Sequence, residues 1–192
     1  MKVTVIQGHP DGAGGHLCHA LADAYCEGAR RAGHEVRVID VGKLQFPLLR
    51  TKDAFEREAP PAELEAAPGD IAWAQHLLLV YPLWLGGMPA IVKGFFEHVL
   101  RPDFVHELGG GKARKARLRG KTARVVVTMG MPATVYRWYF GAHGLKSLRR
   151  NILSFVGIKP VRSTLLGLVE AASAKRRAAW LASLEKLGSR AR

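Results

Sequence analysis

Leu77-Leu78-Leu79-Val80-Tyr81-Pro82-Leu83-Trp84-Leu85-Gly86-Gly87-Met88-Pro89-Ala90-Ile91-Val92-Lys93-Gly94-Phe95-Phe96-Glu97-His98-Val99-Leu100 reads as a strand, a loop and a helix in immediate succession. Leu77 to Tyr81 is an unbroken apolar run, the composition of a strand covered on both faces of a parallel sheet. Pro82 stops the run, and Gly86-Gly87 let the backbone come close to a partner, so a flat ligand fits beside this loop. Pro89 opens the helix, where its missing N–H is one that the first turn leaves unpaired anyway. Ile91, Val92, Phe95, Phe96, Val99 and Leu100 recur at three- and four-residue spacing on the face that packs on the sheet, with Lys93 and Glu97 four apart on the other. In an open α/β sheet, ligands bind in the crevice beyond the carboxyl ends of the strands, which makes this loop the first place to look for a site.

The rest of the chain repeats the alternation. Residues 2–7 form a first strand that opens into Gly8-His9-Pro10-Asp11-Gly12-Ala13-Gly14-Gly15. A helix follows with Leu17, Leu21, Ala24 and Tyr25 facing inward. Gly33 is its left-handed stop before a second strand over 35–40. Such a βαβ unit builds a parallel sheet with right-handed crossovers. Residues 41–60 are aperiodic apart from a short helix over 53–58, and a segment of that kind serves function or an interface. Pro60-Pro61 leads into a helix over 62–75. Beyond the central strand and its helix, 101–120 is an excursion rich in Gly and bases. A fourth strand spans 123–128, a helix 144–156, a fifth strand 159–165, and a last helix 171–187 with Gly188 as its stop. Five strands alternating with helices give a three-layer α/β sandwich with a parallel sheet in the flavodoxin-like order 2-1-3-4-5. The whole chain, 1–192, is read as one domain.

With 48% hydrophobic and 23% charged residues, the 192-residue chain has the composition of a globular protein, and no apolar stretch is long enough to span a bilayer. Met1-Lys2 runs directly into a strand with nothing like a signal peptide, so the expected location is cytoplasmic. Cys18 and Cys26 lie eight apart on one helix, about 12 Å from each other, too far for a disulfide, and read as small buried hydrophobes. The net charge of +13 is the outlier, with seven Lys or Arg and no acid between Lys112 and Arg124. Such a surface is solvated, attracts anionic cosubstrates or binds phosphate backbones. No DNA- or RNA-binding motif accompanies it, which argues against nucleic acid as a partner. His19, His98 and His106 read as surface residues.

Chemistry is expected in three loops. The one after strand one, from Gly8 to His16, holds four glycines and enters a helix N-terminus, where amide N–H groups and the helix dipole favour a phosphate. It is neither a Walker loop nor GxGxxG. The second loop is Tyr81 to Met88, and the third runs from Thr128 to Tyr136. None contains a Ser-His-Asp set or paired carboxylates. Gly, Pro, aromatics and backbone suit a protein that holds a cofactor and leaves the chemistry to it.

These pieces resemble the flavodoxin-like NAD(P)H:quinone oxidoreductases, a group that includes quinone reductases, modulators of drug activity and ancillary subunits of potassium-efflux systems. Gly8-His9-Pro10 carries the resemblance, with the run from Tyr81 to Glu97, then Thr128-Met129-Gly130, Tyr136 and His143. It extends over about residues 1 to 165. Two departures stand out: Gly14-Gly15-His16 replaces the family's frequent Ser-Phe-Asn, and Met131 follows Gly130 where a second glycine is usual. The lost hydroxyl contact then falls to backbone amides or to His16.

The resemblance implies a noncovalent flavin, FMN or FAD, and NAD(P)H as cosubstrate. It places the phosphate against His9, Gly15 and His16, and the ring against Pro82, Leu83, Trp84, Leu85, Gly86, Thr128, Met129 and Gly130. Tyr136 and His143 match a catalytic pair near the pyrimidine edge, where they stabilise negative charge developing on reduction. Hydride passes from nicotinamide to flavin N5 and then to a quinone or similar acceptor in the same place, with no protein nucleophile. The family's sites form across a two-fold interface, which implies a homodimer to which Trp84, Leu85 and residues 41–60 contribute. The alternative is a regulatory or ancillary subunit docked on a membrane transporter.

Overall fold

The computed structural model describes residues 1–101, 104 and 117–192. Strands β1 (Lys2–Gln7), β2 (Glu35–Asp40), β3 (His76–Pro82), β4 (Thr122–Met129) and β5 (Val161–Gly167) form one sheet in the order β2-β1-β3-β4-β5. All four pairings are parallel, with Ile6 opposite Leu79 and Val80 opposite Val126. This is the order expected from the alternation of strands and helices. The first strand feeds outward to β2, and the third returns across it, so the crevice opens where the chain reverses direction.

Period-two alternation divides the sheet between two cores. Val3, Val5, Leu78, Val80 and Val126 pack with α1 (Leu17–Arg31) and α6 (Ala174–Gly188). Ile6, Leu77, Leu79, Tyr81, Val125 and Val127 face α3 (Ala66–Trp73), α4 (Ala90–Val99) and α5 (His143–Ser147). A short α2 (Lys52–Glu56) lies between β2 and α3, its first turn capped by Thr51, whose hydroxyl accepts from Ala54 N at 3.0 Å. Each fully buried Val, Leu or Phe here contributes about 1.5–3 kcal/mol of apolar transfer free energy. In α4 most of the expected stripe is inside, Val92, Phe95, Phe96 and Val99 being buried and Ile91 and Leu100 only partly so, while Lys93 pairs with Glu97 on the outer face. Cys18 and Cys26 are buried free thiols, as their spacing requires.

Helices α1 and α6 touch backbone to backbone. A Cβ on Gly28 would fall 2.0 Å from the Glu185 carbonyl oxygen, and one on Gly188 2.1 Å from that of Tyr25. Gly188 thus ends α6 as the sequence suggests, but the stronger demand on it is this contact. Gly33, at φ +76, is the left-handed residue after α1.

Several elements differ from their sequence signature. The helix expected over 62–75 is a 3-10 turn, Ala62–Leu64, followed by α3. The Asp70 carbonyl accepts from Thr4 Oγ1 at 2.8 Å, which ties α3 to β1. The helix expected over 144–156 is α5 running into a π-helical stretch, Leu148–Leu153, and a second π-helical turn covers Val135–Tyr139. Of the inward stripe in α1, Leu21 and Tyr25 are buried but Leu17 and Ala24 only partly so; Cys18, Ala22 and Cys26 fill the face instead. His98 is not a surface residue: it is 2% exposed, with Nε2 at 2.8 Å from the Pro47 carbonyl oxygen, which anchors the irregular segment after β2 onto α4. Nor is His19, whose ring nitrogens are both closed off from solvent. His106 and, of the basic run, Lys112, Arg114 and Lys115 lie outside the described residues.

Candidate functional site

The loops after β1, β3 and β4 meet above the carboxyl edge of the sheet. Gly8 N donates to Val80 O at 2.7 Å and Leu83 N to Thr128 O at 2.8 Å, so each loop leaves its strand pinned to the neighbouring one.

The β3 loop is a tight turn. Trp84 and Gly87 exchange backbone hydrogen bonds of 3.0 and 2.9 Å, with Leu85 at φ +46 and Gly86 at φ +79 between them. Two successive positive φ values are natural for Asn-Gly but strained for Leu, by about 1–2 kcal/mol. Leu85 is also fully exposed. A strained, fully exposed leucine contributes nothing to this chain's own core, and strain of that kind concentrates at functional sites.

Tyr136 holds this turn from below. Its side chain is buried, its hydroxyl donates to Gly86 O at 3.3 Å and accepts from Leu145 N at 3.2 Å. Burial raises the phenol's pKa and the Leu145 N–H opposes that rise, so the group stays a neutral donor and acceptor at physiological pH. Behind it Gly144 comes so near the turn that a Cβ there would sit 2.2 Å from Gly86 O. Ala142, at φ +48, starts α5 from the left-handed region. His143 is exposed at the start of α5, its ring close over Gly141. The structure thus brings Tyr136 to Gly86 and leaves His143 exposed.

The β1 loop gathers three imidazoles. His9 and His16 stack at 3.8 Å between centroids, with His19 at 5.4 and 5.7 Å from them. His16 Nε2 lies 2.8 Å from Asp11 Oδ2, and that contact is the leading cause holding the Asp11 carboxyl below its ordinary pKa. Burial, and then the charge of His16, lower the pKa of His9. No side chain caps the first turn of α1 and no acid lies in it; His19 N donates to His16 O at 3.0 Å, and the Leu17 and Cys18 amides remain available to an anion. Gly14 and Gly15, at φ +90 and +78, have open space where a Cβ would point. Among the described residues no cluster of His, Cys, Asp or Glu is arranged for a metal ion.

The other expected ring contacts divide by burial. Pro82 and Leu83 are partly buried, Trp84 exposed, and Gly130 exposed beside the Glu170 carboxylate. Thr128 and Met129 are buried, and the Thr128 hydroxyl faces Cys18 Sγ at 3.3 Å, so both offer the crevice mainly backbone. Burial pushes the Cys18 thiol up to about 11, which keeps it an unreactive neutral group. Outside the turn, Trp138, Tyr139 and Phe140 stand exposed on the π-helical segment and its end. Sequence reading missed His19, Ala142 and Gly144. The close Gly141 and Gly144 around His143 were the available signal for a tight approach.

An uncapped helix N-terminus, a strained turn and an aromatic tether lie together at the switch point of a 2-1-3-4-5 sheet, the architecture of a doubly wound α/β protein. The chain belongs to the family described as flavodoxin-like fold, whose model matches residues 1–187. Among curated proteins it is similar to the ribosyldihydronicotinamide dehydrogenase-like protein traD of Penicillium crustosum, 27% identical over 179 residues, which cover 80% of this chain and 65% of that one. The chain thus spans a little under two thirds of that relative's length. Among solved structures it is similar to an NAD(P)H:quinone oxidoreductase from Methanothermobacter marburgensis, with TM-score 0.80, 22% identity and coverage of 97% and 96% of the two chains. An FMN-dependent NADH-azoreductase from Bacillus anthracis, solved with FMN, matches at TM-score 0.72, 16% identity and 99% coverage of both chains. At these identities the structural likenesses speak to fold.

Proposed function

We propose that the chain, acting as one domain over 1–192, is a flavin-dependent NAD(P)H oxidoreductase of the quinone-reductase type. The observation that carries the reading is the Leu85–Gly86 turn locked by Tyr136 and Gly144 beside the uncapped start of α1: a backbone-lined slot with an anion end. Bound flavin, FMN or FAD, would supply the two-electron transfer from NAD(P)H to a quinone-like acceptor.

The chain's own residues bind and orient. Amides of Gly15, His16 and the first turn of α1 take the phosphate, with His9 and His16 as side-chain donors. Pro82, Leu83, Trp84, Leu85 and Gly86 flank one side of the ring, and backbone from Thr128, Met129 and Gly130 the other. Tyr136 holds Gly86 so that the turn's amides keep their direction, and the exposed His143 serves in this reading as a donor to a polar edge of the ring. The exposed Trp84, Leu85, Trp138, Tyr139 and Phe140 surround the slot with apolar surface of the kind that marks an interaction site. A second copy of the chain covering it completes the site and excludes water.

The test is the visible spectrum of the purified protein with FMN or FAD added, followed by anaerobic NADPH. Bound flavin that bleaches on NADPH and recovers on adding a quinone supports the reading; failure of both flavins to bind overturns it. Turnover by the purified chain alone separates an enzyme from the alternative of a transporter's ancillary subunit. No helix among the described residues is long and apolar enough to cross a membrane. Gel filtration against protein concentration tests the dimer.

A further inference from the structure

Four cationic side chains line a cavity of about 540 Å³ on the far side of the molecule: Lys146, Arg149, Arg150 and Lys159, together with the Ser154 hydroxyl. It lies between the π-helical stretch after α5 and Val161, the first residue of β5. That is the amino-terminal edge of the sheet, opposite the three loops of the crevice. No Asp or Glu lines it, and none of the ion pairs among the described residues involves these four cations. Arg149 Nε is closed off from solvent and has no hydrogen-bond partner among the described residues.

Like charges gathered around one hollow repel each other, and a buried N–H without an acceptor is unfavourable; an anion in the cavity relieves both. Guanidinium groups grip phosphate oxygens in pairs, lysines act as point charges beside them, and a hydroxyl adds a neutral donor. The volume falls within the range of about 300–1,000 Å³ that small-molecule sites occupy. We propose that this cavity is a binding site for a phosphate-bearing small molecule, a nucleoside or sugar phosphate, separate from the loop crevice.

The test is isothermal titration of the full chain with pyrophosphate, with AMP and a hexose phosphate as second and third probes to separate the two sources. The expected result is one saturable site that Arg149→Gln and Arg150→Gln each weaken at least tenfold and that Lys175→Gln on α6 leaves within twofold. Arg150 is exposed, so its variant keeps the test sharp if circular dichroism shows that Arg149→Gln does not fold. Absence of a saturable site, equal weakening by Lys175→Gln, or a site that Arg149→Gln and Arg150→Gln both leave unchanged overturns the proposal, the last by moving the anion away from this cavity. Because the readout is anion binding, it stands or fails apart from the flavin reading.

Discussion

Gly144→Ala tests whether close backbone contact behind the β3 turn sets the shape of the crevice. The added Cβ would lie 2.2 Å from Gly86 O and 2.7 Å from Gly87 Cα, about 1 Å or more inside ordinary contact, and both neighbours are backbone that no rotamer change can move away. Either α5 or the Leu85–Gly86 turn must shift by that amount, and the 3.3 Å hydrogen bond from Tyr136 to Gly86 goes with it. Overpacking of this kind costs about 1–3 kcal/mol, or roughly 2–10 °C in Tm at this chain length. Under the flavin reading, losing one backbone hydrogen bond to the ring at the displaced turn, about 1–1.5 kcal/mol, lowers FMN affinity roughly tenfold. Flavin fluorescence quenching and thermal unfolding measure the two effects. Gly69→Ala, on an exposed turn of α3 with open space around the new Cβ, is the control and gains rather than loses helix stability. A Gly144→Ala protein that melts with wild type and binds FMN within twofold of it would refute the reasoning.

Three further outcomes follow from the same geometry. Tyr136→Phe leaves the Leu145 N–H buried without its acceptor and frees Gly86, so urea unfolding should register a loss of about 1–3 kcal/mol. Leu85→Gly removes the strain at φ +46, so unfolding should show unchanged or slightly higher stability, by at most about 1 kcal/mol, while dimer dissociation measured by sedimentation becomes easier; a loss above that figure would show that Leu85 packs within its own chain. Burial, reinforced by Arg124 and Arg162, depresses His76 to about 4. Above the unfolded imidazole value of about 6.5 the neutral ring matches the folded environment, and as pH falls from there toward 4 the unfolded chain takes up the proton first. Stability should therefore drop by up to about 3 kcal/mol over that window, and His76→Asn should show a correspondingly flatter urea midpoint against pH.

The sheet was legible because strands covered on both faces are written as unbroken β-branched and leucine runs, and 77–81 and 123–128 have no other reading. The stripe of α4 was legible for the same reason of periodicity. The breaks were not. The π-helical stretch at Leu148–Leu153 uses mostly ordinary helix formers and that at Val135–Tyr139 mostly β-branched and aromatic residues, so no shared composition marks a π turn. His98 follows Glu97 on what looks like the polar side of α4, and only the Pro47 carbonyl, brought 51 residues through the fold, makes it interior. The loops of the candidate site could be named from Gly and Pro content and their place after β1, β3 and β4. That Tyr136 bridges Gly86 and Leu145 could not, because both partners are backbone atoms, and backbone atoms carry no sequence signal.

The paired glycines where α1 crosses α6 act on the crevice from a distance. Gly28 lies twelve residues along α1 from His16, about 18 Å at the helical rise, and the seam there is backbone against backbone. A rigid rod clamped at one end transmits tilt to the other. Any side chain wider than hydrogen at Gly28 or Gly188 would swing the anion-facing amides of α1 sideways. Substitutions at this seam would then register as ligand-binding defects in residues that never approach a ligand.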